Sequence, residues 1–140
     1  MTNGKLGNYW RFIVMKLEKL TDCEELVMKT VWDAEEELSL MEVMSRVNEK
    51  YKKNWKPQTV STFLARLVKK GYLRHYRQGR VFFYQILVPL DTYKGQLTND
   101  YVNFWNHSNA DEFLCALAEE RPLREDEVER IQKLIDGMDN

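Results

Sequence analysis

The sequence predicts a mainly α-helical protein with one small β-hairpin. First, apolar residues recur at helical spacing through residues 57–70, between a proline and a glycine. Second, two runs rich in aromatic and β-branched residues, 73–78 and 81–86, flank a short turn that contains a glycine. Third, large apolar residues return at intervals of three and four after residue 92, which indicates further helices.

Two capping boxes predict where the first two helices begin. Thr21 is followed three residues later by Glu24, and Ser39 by Glu42, so each pair can satisfy two backbone N–H groups at a helix start. The residues that these helices are expected to bury are Leu20, Cys23, Val27, Val31 and Trp32 in the first, and Leu40, Val43, Met44 and Val47 in the second.

The helix over residues 57–70 carries the most informative surface. Pro57 suits the first helical position, since its missing N–H would have no partner there. Gly71 suits the position after the helix, where the backbone turns left-handed. The opposite side from the apolar stripe holds small, polar and basic residues and no acid, which favours close approach to an anion. The predicted buried stripe is Val60, Phe63, Leu64 and Leu67.

The predicted order of elements is helix, helix, link, helix and hairpin, which is the order of a winged helix-turn-helix. We assign residues 20–88 to such a DNA-binding domain. In that fold the helix over 57–70 enters the major groove of double-stranded DNA, and the wing over 77–81 touches the flanking backbone. The expected DNA contacts are Ser39, Lys56, Gln58, Thr59, Ser61, Thr62, Arg66, Lys69, Lys70, Arg77, Gln78 and Arg80.

Several of these residues also have a purely structural explanation. Ser39 is a helix cap in any case, and a phosphate at its helix N-terminus would be an additional role. Arg66 has the alternative of pairing with Glu49 or with a C-terminal acid. Lys69 and Lys70 have the alternative of stabilising the helix end, where cations are favoured.

The net charge of −1 hides an uneven distribution. Residues 1–88 hold 16 lysines and arginines against 10 acids, whereas residues 89–140 hold 5 against 12. Residues 46–80 hold 11 basic residues and one acid. This segregation predicts a basic half for a polyanion such as DNA and an acidic half with another task.

The composition argues against several classes of protein. No apolar run approaches the roughly 20 residues of a membrane span, so we expect no membrane insertion. The start lacks the features of a secretory signal peptide. Cys23 and Cys115 lie far apart without metal-binding spacing, which argues against a metal site and for the reducing cytoplasm. Because no nucleophile–base pair or phosphate-binding loop is recognisable, we expect neither an enzyme nor a cofactor.

Residues 89–140 are expected to form a three-helix dimerisation region. Pro89 and Asp91 mark its junction with the preceding domain. Three helices this short cannot cover their own large apolar side chains, so a second copy of the chain would cover them in a symmetric homodimer. The alternative is a monomer in which they fold back onto the winged helix. The expected interface residues are Tyr93, Leu97, Tyr101, Phe104, Trp105, Phe113, Leu114, Leu117, Val128, Ile131, Leu134 and Ile135.

Residues 1–19 form an N-terminal extension to which we assign no function. Either its apolar and aromatic residues form a short amphipathic helix, or Met15 is the natural start and the preceding residues do not belong to the protein.

Several local strings match a known family. They are Trp32 at the end of the first helix, Trp55-x-Pro-x-Thr, Arg66-Leu-x-x-Lys-Gly, Phe83-Tyr84 at the end of the wing, and residues 123–128 at the start of the last helix. On these strings the chain resembles the penicillinase and methicillin-resistance repressor family, the BlaI/MecI type, over about residues 20–137.

The resemblance implies a dimeric repressor of an inducible operon, of the kind linked to antibiotic resistance. Its recognition-helix positions fall on Gln58, Thr59, Ser61 and Thr62, and two of these are usually larger basic residues in relatives, which speaks against a shared operator. The resemblance also implies inactivation by a membrane sensor metalloprotease. By this resemblance, the bond that the protease would cleave falls near Asp100-Tyr101, where the family pattern is Asn-Phe. A winged helix that binds other proteins without operator binding is the alternative function.

Overall fold

The computed structural model of the protein describes residues 16–138, and the fold class predicted from the sequence is confirmed. The described chain contains six helices and a three-stranded antiparallel sheet. The elements are α1 (Asp22–Asp33), β1 (Leu38–Ser39), α2 (Leu40–Tyr51), α3 (Pro57–Lys69), β2 (Leu73–Gln78), β3 (Val81–Ile86), α4 (Leu90–Trp105), α5 (Ala110–Glu120) and α6 (Glu125–Met138). The two alternatives for residues 1–19 fall almost entirely on residues outside the described range.

Both predicted capping boxes are confirmed. The Thr21 hydroxyl accepts from the Glu24 amide at 3.3 Å, and the Glu24 carboxylate accepts from the Thr21 amide at 2.9 Å. Ser39 and Glu42 make the same reciprocal pair at 3.3 and 2.9 Å. These local bonds begin α1 and α2 where the sequence places them.

One hydrophobic core joins α1, α2, α3 and the sheet. It includes most of the expected stripe residues of all three helices, among them Val27, Val43 and Leu64, each fully buried. Cys23, predicted to be buried, is only half-buried, because the inward position of this first turn is taken by its neighbour Glu24. Four other predicted core residues are half-buried at the rim of the core: Trp32, Leu40, Met44 and Phe63.

The short strand β1 was not predicted. Leu38 pairs with Tyr84 and Ser39 with Phe83, which makes the sheet order β1-β3-β2. Two residues are too few to show the alternation that identifies a strand in a sequence. The pairing matters because it ties the start of α2 to the hairpin.

The structure divides into two compact units between Gln96 and Leu97, within α4. In the second unit none of the described residues is buried, and several large apolar side chains are strongly exposed, such as Phe104 at 75% and Leu134 at 63%. Rings within this unit touch one another, with the Tyr101 and Phe113 centroids 5.9 Å apart.

Tyr93 differs from the other residues predicted for a dimer interface. It lies in the first unit and packs against the core, where its ring contacts the tilted ring of Trp32 at a centroid distance of 5.3 Å. We therefore leave Tyr93 out of the proposed interface. No helix within residues 16–138 is long and apolar enough to cross a membrane.

Candidate nucleic-acid interface

One side of α3 is exposed throughout and carries no acid. Val60, Leu64 and Leu67 are fully buried, and Pro57 stands at the helix start as predicted. The Thr62 hydroxyl donates to the Gln58 carbonyl at 3.0 Å, so this polar side chain lies close against the helix. We call the exposed side the α3 outer face; it consists of Gln58, Thr59, Ser61, Thr62, Ala65, Arg66 and Lys69.

The link between α2 and α3 is fixed by an asparagine that the sequence analysis missed. The Asn48 side chain accepts from the Trp55 amide at 3.0 Å and donates to the Trp55 carbonyl at 3.1 Å. The Trp55 ring in turn packs 4.9 Å from the Phe63 ring on α3. Lys52 turns the chain with a left-handed φ of 54°. Asn48 therefore sets the direction in which α3 begins.

Replacing Asn48 with alanine should destabilise the first unit. Two backbone groups of Trp55 would lose their partner in a half-buried link, which costs about 1–3 kcal/mol in the free energy of unfolding. Chemical denaturation of the full chain measures this. The exposed Asn54 lies in the same link, and Asn54→Ala should change stability little. Equal losses in both variants would contradict the role of Asn48.

The wing is a two-residue turn with basic side chains. Gln78 pairs with Val81, and Gly79 adopts the left-handed φ of 65° that the turn requires. The Arg77 guanidinium lies 5.4 Å from the centre of the Phe82 ring. Arg77, Gln78, Gly79 and Arg80 are all exposed, and we call them the wing tip.

The basic residues near these surfaces are not neutralised by the first unit. Some other cations of this unit are paired, as in Lys29 with Asp33 and Lys50 with Asp33. The alternative pairing of Arg66 with Glu49 is not formed. Among the described residues of the first unit, no carboxylate lies within ion-pair distance of Lys52, Lys53, Lys56, Arg66, Lys69, Arg74, Arg77 or Arg80.

Lys70 is used inside the protein. Its ammonium lies 2.6 Å from the carboxylate of Glu24, which is 1% exposed, and it donates to the Lys19 carbonyl at 2.8 Å. The Ser39 hydroxyl is also engaged, because it lies in the capping box and the residue is 8% exposed. We therefore leave Lys70 and Ser39 out of the proposed DNA contacts. The other ten predicted residues are exposed.

The Glu24–Lys70 pair should make stability depend on acidity. Burial by itself would raise the pKa of Glu24, but hydrogen bonds from Lys70 and from the Thr21 amide outweigh it and hold the pKa below its ordinary 4.5. Because the ionised carboxylate is favoured in the folded state, Glu24 stabilises the fold above about pH 4.5. This stabilisation is lost as the pH falls below this value and the carboxylate is protonated.

Glu24→Gln should remove this contribution, because the amide still caps α1 but leaves Lys70 unpaired. By analogy with other buried ion pairs, we expect the free energy of unfolding to fall by about 3 kcal/mol at pH 7. The free energy of unfolding should also change less between about pH 5 and pH 3 than it does in the wild type. Denaturation of both proteins across this range measures it. Glu35→Gln, at an exposed position, is the matched control. Parallel profiles for the wild type and Glu24→Gln would contradict the assignment.

A sequence model described as penicillinase repressor matches residues 20–137. The chain belongs to the penicillinase repressor family. The family predicted from the local strings is thereby confirmed.

Two members illustrate the similarity in sequence. The penicillinase repressor of Bacillus licheniformis is 26% identical over 125 residues, which cover 89% of this chain and 95% of that protein. The methicillin resistance regulatory protein MecI of Staphylococcus aureus (strain N315) is 22% identical over 120 residues, covering 86% of this chain and 95% of that protein.

Two solved structures are also similar. The solution structure of the DNA binding domain of the repressor BlaI is 35% identical, with a TM-score of 0.48, and covers 56% of this chain and 92% of that chain. The Bacillus licheniformis BlaI monomeric form in complex with the blaP half-operator has a TM-score of 0.46 at 35% identity, with the same coverage.

Proposed function

We propose that this protein is a transcriptional repressor that binds operator DNA as a homodimer. The observation that carries the proposal is the acid-free α3 outer face beside a wing tip whose arginines have no carboxylate partner within the described first unit. Membership of the penicillinase repressor family supports it. Repression would follow because a bound dimer blocks the polymerase.

In the proposed complex each subunit places α3 in the major groove of one half-site. Gln58 has the donor and acceptor needed to read an adenine through two hydrogen bonds. Thr59, Ser61 and Thr62 are short enough to let the helix approach closely, and they can meet thymine methyl groups or phosphates. Base reading by these residues would give the sequence preference.

The exposed cations would supply affinity rather than sequence information. Arg66 and Lys69 belong to the α3 outer face, Lys56 precedes the helix, and Arg77 and Arg80 lie at the wing tip with Gln78 beside them. Contacts of this kind neutralise phosphates and release counterions. They position the protein on the duplex.

Dimerisation would use the exposed apolar residues of the second unit. The later part of α4 carries four large apolar side chains that are 46–75% exposed, namely Leu97, Tyr101, Phe104 and Trp105. A second copy of the chain would remove this apolar surface from water. Half-sites would then lie about 10 bp or a small multiple apart, on one side of the duplex. The remaining proposed interface residues are Phe113, Leu114, Leu117, Val128, Ile131, Leu134 and Ile135.

Induction would separate the two DNA-binding units, because one half-site alone is bound far more weakly. A sensor metalloprotease in the membrane is the proposed agent, and the Asp100-Tyr101 bond is its proposed target. Both residues are exposed, and both lie inside α4. A protease would have to unwind this part of the helix before cleaving it.

Salt dependence of DNA binding tests the proposal and separates it from a protein-binding winged helix. An operator is first enriched from random duplex DNA with the full chain, and its affinity is then measured between low and physiological salt. If the five cations of each subunit all contact phosphates, log K should fall with log salt at a slope of about −9. Failure to enrich any sequence, or a slope near zero, would favour the protein-binding alternative.

A further inference from the structure

One face of the wing hairpin carries a row of rings that ends beside an arginine. On this face His75 lies opposite Tyr84, and Arg77 lies opposite Phe82, in the register of β2 and β3. The His75 ring contacts the other two rings edge-on, at centroid distances of 5.3 Å to Phe82 and 6.3 Å to Tyr84. Tyr84 is 7% exposed and belongs to the core, so this row extends from the core towards the wing tip. We call His75, Phe82 and Tyr84 the ring row.

Arg77 is held at the outer end of the ring row. Its guanidinium lies over the ring of Phe82, which is 41% exposed. The first unit, as far as the structure describes it, places no carboxylate within ion-pair distance of this guanidinium. An aromatic ring attracts a cation without neutralising it, whereas a carboxylate would also occupy its N–H donors. Arg77 is therefore positioned but remains able to bind an anion.

The same arrangement occurs on α3. The Arg66 guanidinium lies 5.9 Å from the centre of the Phe63 ring, which packs against Trp55. Lys29, which is outside the proposed DNA contacts, is instead bound by the Asp33 carboxylate at 2.6 Å. Two arginines of the proposed DNA surface are thus positioned by phenylalanine rings, which leave their charge available.

The opposite face of the hairpin has an acid beside it. Tyr76 stacks on Phe83 there at a centroid distance of 5.8 Å, and its hydroxyl donates to the Glu37 carboxylate. On the same face the Arg74 guanidinium donates to the side chain of Gln85. Because Glu37 would repel phosphates, the face with the ring row is better suited to meet the DNA backbone.

We propose that Phe82 is a positioning residue for DNA binding, which holds the Arg77 guanidinium on the wing face away from Glu37 for contact with a phosphate. A side chain that is already in place loses less conformational freedom on binding than one that must first be immobilised. Phe82 acts through Arg77 and does not itself contact the DNA. This inference rests on the proposed function, since it needs a protein that binds DNA through its wing.

The test is a double-mutant cycle on the full chain, with a single half-site of the enriched operator as the DNA. Phe82→Leu removes the ring and keeps an apolar side chain, Arg77→Ala removes the guanidinium, and a third variant combines both changes. Phe82→Tyr keeps the ring. Phe83→Leu is the matched control, because Phe83 is the neighbouring phenylalanine of β3 but lies on the face with Tyr76. Chemical denaturation checks that each variant is folded.

We expect Phe82→Leu to weaken half-site binding by about two- to fivefold, the scale of one exposed contact between a cation and a ring. Arg77→Ala should weaken it further and reduce the slope of log K against log salt by about 0.9. Adding Phe82→Leu to Arg77→Ala should cause no additional loss, because both changes remove the same contact. Phe82→Tyr should restore the affinity. Any effect of Phe83→Leu should be the same with and without Arg77.

Two results would overturn the inference while leaving the proposed function standing. One is wild-type affinity in Phe82→Leu. The other is a loss from Phe82→Leu that is equally large in the Arg77→Ala background, which would mean that the ring contacts the DNA or supports the fold directly. If the wild type enriches no operator, the proposed function fails, and this inference fails with it.

Discussion

Replacing Thr62 with glutamate is expected to abolish operator binding and leave the dimer intact. Thr62 lies at the middle of the α3 outer face, where no residue carries a negative charge. A carboxylate here would face the phosphates of the proposed groove, and placing like charges together across an interface costs several kcal/mol. A dimer carries two such charges, so affinity should fall by more than about a hundredfold.

Gel-shift titration on the enriched operator measures this, and sedimentation checks the oligomeric state. Thr62→Val is the matched control: it keeps the shape of the side chain and removes the hydrogen bond to the Gln58 carbonyl. We expect this variant to bind at most modestly more weakly. Unchanged binding by Thr62→Glu would remove α3 from the proposed interface.

Charging the apolar surface of the second unit is expected to separate the dimer. Phe104 and Leu134 are 75% and 63% exposed, so each can accept a glutamate within a single chain with little loss of packing. In a buried interface between two copies the same charges would lack partners, which is strongly unfavourable. The combined Phe104→Glu and Leu134→Glu variant should therefore sediment as a monomer.

Loss of the dimer should also weaken operator binding by about 10²–10⁴-fold, because the second recognition helix is no longer tethered. Met41→Glu is the control for added charge, since Met41 is a 54% exposed apolar side chain of the first unit, and this variant should remain dimeric. Removal of the chain after Gln96 should give the same monomer. A Phe104→Glu, Leu134→Glu variant that stays dimeric would contradict the proposed interface.

The sequence predicted those structural features that depend on residues a few positions apart in the chain. Thr21 and Glu24 form their capping box across three residues, and Pro57 starts α3 by its own ring geometry. The apolar stripe of α3 was visible because burial repeats with the helical period. The exposure of Gln58 and Thr62 followed from the same pattern.

Contacts between distant residues could not be predicted in this way. Glu24 was recognised as a capping residue, yet nothing in the local pattern shows that it also binds Lys70, 46 positions later. The same limit hid the Asn48 contacts with Trp55 and the packing of Tyr93 on Trp32. A spacing pattern shows which residues turn inward, but not which partner they meet there.

The order of the three strands bears on how copies of the protein can come together. β2 is an outer strand, so one row of its backbone groups has no neighbouring strand within the sheet. Uncovered edges of this kind invite strands of other molecules to add on and aggregate. Here the edge carries Arg74 and Arg77, whose charges repel the same edge of another copy. Arg77, which we propose as a DNA contact, would thus also help Arg74 to keep two hairpins from pairing along this edge.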